Sequence, residues 1–443
     1  MWIEKWEPED PEFWASTGRR IANRNLALSV FTEHIGFSIW SLWSVMVLFM
    51  GPKYGLSVAD KFLLTSTPTL VGAVMRIPYS LAVARFGGRN WTVISAALLL
   101  IPAVLCGIVI HPGTSLGTFL LAAAVAGLGG GNFASSMTNI NTFFPESRKG
   151  WALGLNAGGG NLGVAVIQIV ALIVLGTAGA LQPRIVLWVY LPLIVIAGTC
   201  ALLFMDNLRT VRSDTRAMRE VVKDAQCWVI SVLYIGTFGS FIGYSFAFGL
   251  VLQNQFHRTP VQAATVTFLG PLLGSLSRPV GGWLADRFGG AKVTFANFVL
   301  MAACAAVLIV AADAKSLPMY TVGFIALFIF SGVGNGSVYK MIPGISHRKA
   351  LVAIDAGADR AGALQTARRR SGALIGIAGA LGALGGVGIN LAFRASFAAA
   401  GSGTPAVVAF VAFYAVCFAL TGLVYLRTPV AGRQTSTLAT ARV

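Results

Sequence analysis

The sequence predicts an all-α polytopic membrane protein, with twelve transmembrane helices in two pseudo-symmetric six-helix halves. Three observations carry this. The 443 residues are 56% hydrophobic and only 11% charged, whereas a soluble protein carries about 25% charged residues. Apolar runs of about 20 residues, each long enough to cross a bilayer, recur from end to end. Two stretches of the first part also return in the second with their spacing preserved.

The apolar runs place spans near 25–50, 61–84, 91–110, 117–144, 151–176, 184–205, 227–251, 261–285, 292–312, 318–344, 371–393 and 405–426. The longest polar breaks are 206–226 and 346–370, and the first divides the spans six and six. The chain therefore reads as a tail, 1–24; a six-helix half, 25–205; a linker, 206–226; a second half, 227–427, with a cytoplasmic loop at 346–370; and a tail, 428–443. With the N-terminus inside, 24 of the 33 Lys and Arg residues fall on inside segments. The outside loops hold Lys53, Lys61, Arg184, Arg258, Lys315 and Arg394, and three lie within spans: Arg76, Arg278 and Lys340. This bias puts both termini and both long breaks in the cytoplasm. It also explains the net charge of +17 without nucleic acid, since the basic residues sit in short loops between spans. The acidic-then-basic start lacks a signal-peptide pattern and reads as a cytoplasmic tail. Cys106, Cys200, Cys227, Cys304 and Cys417 fall in or beside apolar runs, without metal-ligand spacing. They read as small buried apolar residues, and no metal or cofactor is expected.

The repeat is specific. "RIPYSLAVARFGGRN" starts at Arg76 and "RPVGGWLADRFGGAK" at Arg278, an offset of 202 residues, with "RFGG" nine residues after each arginine. Glycines 150, 154, 160 and 163 match 372, 376, 382 and 385. Spans two and five thus correspond to spans eight and eleven. Two such halves are the plan of the major facilitator superfamily, whose site lies near the midplane between them. "GGWLADRFGGAK" (281–292) resembles that superfamily's loop motif; its first-half copy has Ala84 in place of the aspartate.

Span five carries "GLNAGGGNLG" (154–163), and small residues let helix backbones approach closely. Gly154, Gly158, Gly160 and Gly163, with Gly376, Gly382 and Gly385 in span eleven, read as helix-interface glycines. They serve either a moving interface or close packing alone. Asn156, Asn132 and Asn139 read either as interhelical glue or as functional amides. Asn161, inside the glycine run, reads as a substrate contact.

Arg76 stands 15 residues beyond Lys61, which places it some 22 Å into a core of about 30 Å. Arg278 stands at the corresponding depth. A charge there costs roughly 2.5–3.5 kcal/mol on insertion scales. Acidic mates are scarce, because Glu33 is the only span acid away from the cytoplasmic ends. Two arginines facing one cavity make an anion site, and the planar guanidinium fork matches a planar oxyanion. Phe37, Trp40, Phe133, Tyr234, Phe238 and Tyr244 are the aromatics available to sandwich a flat ion. Lys340 reads as a snorkelling lysine. Glu33 reads either as a helix-start carboxylate satisfied near Arg24, or as a coupling residue that titrates during a transport cycle.

"GLGGGNFASSMTNINTFFPESRKGWALGLNAGGGNLGV" (127–164) resembles the nitrate signature of the nitrate/nitrite porter family. "MRIPYS" (75–80) and "GIAGALGALGGVGI" (376–389) are similar to that family's span two and its second signature. The resemblance implies an anion clamped by Arg76 and Arg278, with Asn161 as the signature asparagine and Phe133, Tyr234 and Phe238 lining the slot. It further implies an inner-membrane transporter of nitrate and nitrite that rocks between two faces. No metal set, phosphate loop or nucleophile–base pair appears, so no enzyme activity is expected, and the chain is expected to be a monomer. Proton-coupled uptake is favoured slightly over nitrate/nitrite antiport. A carrier for another small anion and a nitrate receptor that moves nothing are the rival readings.

Overall fold

Inside a bilayer every backbone N–H and C=O must find a partner within the protein, which in an all-α chain makes the spanning segments helical. The computed structural model describes residues 2–209 and 215–427. The tail 428–443 lies outside the described residues. Among those described, nine helices are long and apolar enough to cross a membrane: Gly88–Val109, Leu116–Phe143, Ser147–Thr177, Arg184–Phe204, Ala225–Gln255, Gly290–Asp313, Leu317–Asp355, Arg360–Ala400 and Thr404–Leu426. The first, second and eighth predicted spans are helical too. They are Arg19–Trp40 continued by Leu42–Phe49, Val58–Phe86, and Pro260–Thr267 continued by Leu269–Phe288. These three carry Glu33, Arg76 and Arg278, whose charge lowers their hydropathy.

The internal repeat has a local physical basis. Span two starts at a capping box, with Ser57 and Asp60 each satisfying the other's backbone N–H. Span eight starts the same way with Thr259 and Gln262, at the same 202-residue offset. The two "RFGG" turns are also alike. Gly87 and Gly289 end their helices at φ of 86° and 92°, a region that side chains disfavour. The glycine that follows each opens the next helix, Gly88–Leu98 or Gly290–Asp313.

The break read from the sequence as a loop at 346–370 is mostly helix. Span ten continues to Asp355 and span eleven starts at Arg360, with a turn between them at Gly357. The segment is polar but rich in Ala and Arg, which favour helix. At 39 residues span ten is about 58 Å long, well beyond a core of about 30 Å. The basic extensions are held by acidic residues of the linker. Lys349 pairs with Asp224, and Arg370 donates to Glu220 at 3.1 and 3.2 Å. Arg370 first, then Arg216, hold the Glu220 carboxyl below its ordinary range.

The described residues form two compact units. One joins the chain up to Ser213 to Gly243–Ser275 and Val387–Ser402, and the other takes the remainder. The boundaries of the units therefore fall inside spans seven, eight and eleven. Within the first unit, Phe62 stacks on Phe393 and Phe397 at 5.7 and 5.4 Å, and Thr65 donates to Asn390 at 2.8 Å. Gln168 donates to the Ser245 carbonyl at 2.9 Å.

The N-terminal segment is ordered against this unit. Trp2–Ile3 pairs in parallel with Asn207–Leu208, and the Trp6 indole donates to the Phe143 carbonyl. Asp206 ties the ends of spans one and six. It accepts from Arg24 at 2.6 Å and from Asn25 at 3.0 Å, and its own N–H donates back to Asn25 at 2.9 Å. Because Asn25 and Asp206 are buried, removing one partner strands the other. Asn25→Ala should cost about 1–3 kcal/mol and lower the thermal unfolding temperature in detergent. Lys5→Ala, at an exposed pair, should leave that temperature unchanged.

Candidate functional site

Span two turns a small and polar stripe toward the protein. Thr65, Thr69, Gly72, Ala73, Arg76 and Tyr79 are buried, whereas Leu70, Val74 and Ile77 are about half exposed on the other side. Arg76, 1% exposed, lies against rings. Its Cζ is 4.5 Å from the centre of Phe133 and 5.4 Å from that of Trp40. Its Nε donates to the Gly130 carbonyl at 3.4 Å. That approach needs a close crossing of spans two and four: a Cβ on Gly130 would lie 2.7 Å from the Gly72 Cα. Phe37 and Trp40 of span one complete the wall, edge to face at 5.3 Å, and Phe37 meets Phe133 at 6.1 Å.

Glu33 belongs to the same unit and is fully buried. Arg24 does not serve it, because Arg24 pairs with Asp206. Glu33 accepts instead from the Ser136 hydroxyl and from the Asn156 amide at 2.6 Å. Asn156 also reaches Ser136 at 2.9 Å. Asn156 is thus the glue reading of its sequence position, and it binds spans one, four and five. Asn161 differs. It is 1% exposed, and neither side-chain atom has a hydrogen-bond partner among the described residues. Leaving a buried amide unsatisfied costs free energy.

The glycines divide in the same way. A Cβ on Gly160 would meet the Glu33 carboxylate at 2.3 Å, and one on Gly163 the His34 carbonyl at 2.1 Å. Both let span one seat against span five. In span eleven, Gly382 lies against the Tyr234 ring and Gly385 against the Gly239 Cα. Gly154, Gly158 and Gly376 face open space.

Arg278 lies in the second unit. It is 5% exposed, while Leu276, Val280 and Trp283 on the same helix are about half exposed. Its Nη2 donates to the Tyr234 hydroxyl at 3.2 Å, and its Cζ lies 5.3 Å from the Tyr339 ring centre. Nη1 is buried without an acceptor among the described residues. Tyr234 stacks on Phe238 at 5.2 Å and 8°, where span seven makes a π-helical turn, Ile235–Gly239. Such turns are frequent at functional sites. Sequence reasoning missed Tyr339, because nothing in an apolar run says which face of span ten meets span eight. Lys340, read as a snorkelling lysine, is half exposed and pairs with Asp286 at 2.9 Å, a partner that the sequence did not reveal.

The Major Facilitator Superfamily model matches residues 26–363. The nitrate/nitrite transporter NarU of Salmonella typhimurium is 38% identical over 96% of this chain and 96% of its own length. The probable nitrate/nitrite antiporter NarK2 of Thermus thermophilus is 34% identical over 77% of this chain and 82% of its own. The chain belongs to the nitrate/nitrite porter family of the major facilitator superfamily. Its fold matches a solved bacterial homologue of the human lysosomal transporter Spinster, in an inward-facing, unoccupied conformation. The TM-score is 0.64, with 16% identity and coverage of 91% of this chain and 96% of that one.

Two glycines of this porter make opposite predictions. Gly158→Ala enters open space in a helix, and should be neutral or stabilising by up to about 1 kcal/mol. Gly160→Ala drives a methyl into Glu33 and should destabilise by roughly 1–3 kcal/mol. Thermal unfolding of the two variants side by side checks this.

Proposed function

We propose that the chain is a multi-pass nitrate/nitrite transporter that works by alternating access, with the anion clamped between Arg76 and Arg278. The observation that carries this is the pair of repeat-related buried guanidinium groups walled by aromatic rings, one of which, Arg278, keeps a buried Nη1 without a protein acceptor among the described residues. A guanidinium offers a planar fork of donors, and flat rings on either side favour a flat ion over a hydrated tetrahedral one. Phe133, Tyr234 and Phe238 line the slot, and the buried Asn161 amide, without a protein partner among the described residues, is a further donor. The NarU and NarK2 relatives, named for nitrate and nitrite, support the substrate. The protein is a carrier rather than an enzyme, a monomer in lipid, with both termini in the cytoplasm by its Lys and Arg bias. Gly154, Gly158 and Gly376, with open space before them, are the glycines left for a moving surface.

Proton-coupled nitrate uptake is the favoured mode. Two cationic side chains around an empty site repel one another, and a carboxylate such as Glu33 offsets that charge on the empty return. Protonation of Glu33 when the anion is bound would let proton and nitrate move together. Nitrate/nitrite exchange is the second reading, favoured by the name of the Thermus thermophilus relative.

Arg76→Lys and Arg278→Lys keep the charge and lose the fork. Loss of one charge-assisted hydrogen bond is worth about 1.5–3 kcal/mol, so each variant should bind nitrate roughly 10- to 150-fold more weakly in a direct titration. Near-normal affinity in either would exclude the clamp. Glu33→Gln should lose nitrate accumulation driven by a pH gradient and keep nitrate/nitrite exchange. Intact pH-driven accumulation in that variant would leave exchange as the mode.

A further inference from the structure

We propose that Asn335 of span ten is a further anion-binding residue that works with Arg278. The inference rests on the transport reading above and adds a donor to it. Span ten is docked by the two glycines that flank Asn335. A Cβ on Gly336 would lie 2.2 Å from the Arg278 carbonyl and 2.6 Å from the Gly282 nitrogen, and one on Gly334 would lie 2.4 Å from Thr237 of span seven. Asn335 is therefore held where span ten crosses spans seven and eight. Tyr339 follows four residues later, and its ring lies 5.3 Å from the Arg278 Cζ and 6.1 Å from the Tyr234 ring. Residues four apart on a helix share a face, so Asn335 stands on the side of span ten that meets Arg278 and Tyr234.

The chemistry at this point is unfinished. Asn335 is 1% exposed, and neither its Nδ2 nor its Oδ1 has a hydrogen-bond partner among the described residues. Arg278 Nη1 is in the same condition. Buried amides are normally satisfied, and an apolar side chain of the same branched shape, such as leucine, would occupy the position without the cost of an unsatisfied polar group. A small planar oxyanion meets the need, because two of its oxygens can accept from Nδ2–H and Nη1–H together. The Oδ1 then turns away from the anion, since an amide can exchange the positions of its nitrogen and oxygen by rotation. The first half carries a counterpart. "GLGGGN" (127–132) aligns with "FSGVGN" (330–335), and Asn132 is also buried, with an Oδ1 that has no partner among the described residues. Spans four and ten thus each carry a buried amide after a glycine-rich turn of helix, as spans two and eight each carry a buried arginine.

Titration of the purified full-length protein with nitrate, together with its thermal unfolding without nitrate, tests this. Asn335→Leu should raise the nitrate Kd about 10-fold or more, while the nitrate-free protein unfolds at the same or a higher temperature. A lower unfolding temperature with an unchanged Kd would make Asn335 a packing residue and overturn the proposal. Asn335→Asp keeps the shape and sets a carboxylate beside Arg278, so it should weaken nitrate binding further. If the leucine variant fails to fold, an unchanged Kd in the aspartate variant overturns the proposal alone. Arg278→Lys run in parallel separates the two ideas. Weak binding in that variant with normal binding in both Asn335 variants removes Asn335 and leaves the clamp standing. Normal binding in all three removes the clamp itself.

Discussion

The structure is organised around the cost of holding a guanidinium group inside a membrane protein. A charge at that depth is expensive, and this chain carries one at equivalent positions of spans two and eight. Each is turned away from the lipid by the same arrangement, large apolar side chains on one side of the helix and small or polar ones on the other. Each then lies against aromatic rings, Phe133 and Trp40 for Arg76 and Tyr339 for Arg278. A cation over a ring face is attracted by the ring quadrupole, so the aromatics hold the guanidinium in place without neutralising it.

Close helix crossings make this possible. Gly72 and Gly130 bring spans two and four together so that the Gly130 carbonyl can reach Arg76. Gly160 and Gly163 seat span one against span five, and Glu33 is buried there between Ser136 and Asn156. Gly160 and Gly163 of span five are thus explained by packing, whereas Gly154 and Gly158 face open space. Its two asparagines, five residues apart, have separate tasks. Asn156 satisfies a buried carboxylate, and Asn161 remains without a protein partner among the described residues.

Much of this was legible in the sequence where the signal is local or repeated. The "RFGG" pair marks two turns whose first glycine needs a positive φ, and the caps at Ser57 and Thr259 follow the same repeat. The buried arginines stood out because charge is rare in apolar runs. What was not legible depends on contacts between distant segments or on helix orientation. Residues 346–370 are polar, and polarity alone does not distinguish a loop from a helix extended beyond the membrane and held by Asp224 and Glu220. The Lys340–Asp286 pair joins spans ten and eight, which hydropathy cannot foresee. Tyr339 and Asn335 sit in an apolar run whose buried face becomes known only once span eight is beside it.

The most direct measurement is counterflow of labelled nitrate into proteoliposomes that hold the purified protein. Vesicles loaded with nitrate or nitrite should take up the label transiently, whereas vesicles loaded with acetate should not. Binding of nitrate without any uptake would make the protein a receptor. Equal uptake into acetate-loaded vesicles would make it a carrier for small anions in general, and either result would contradict the account.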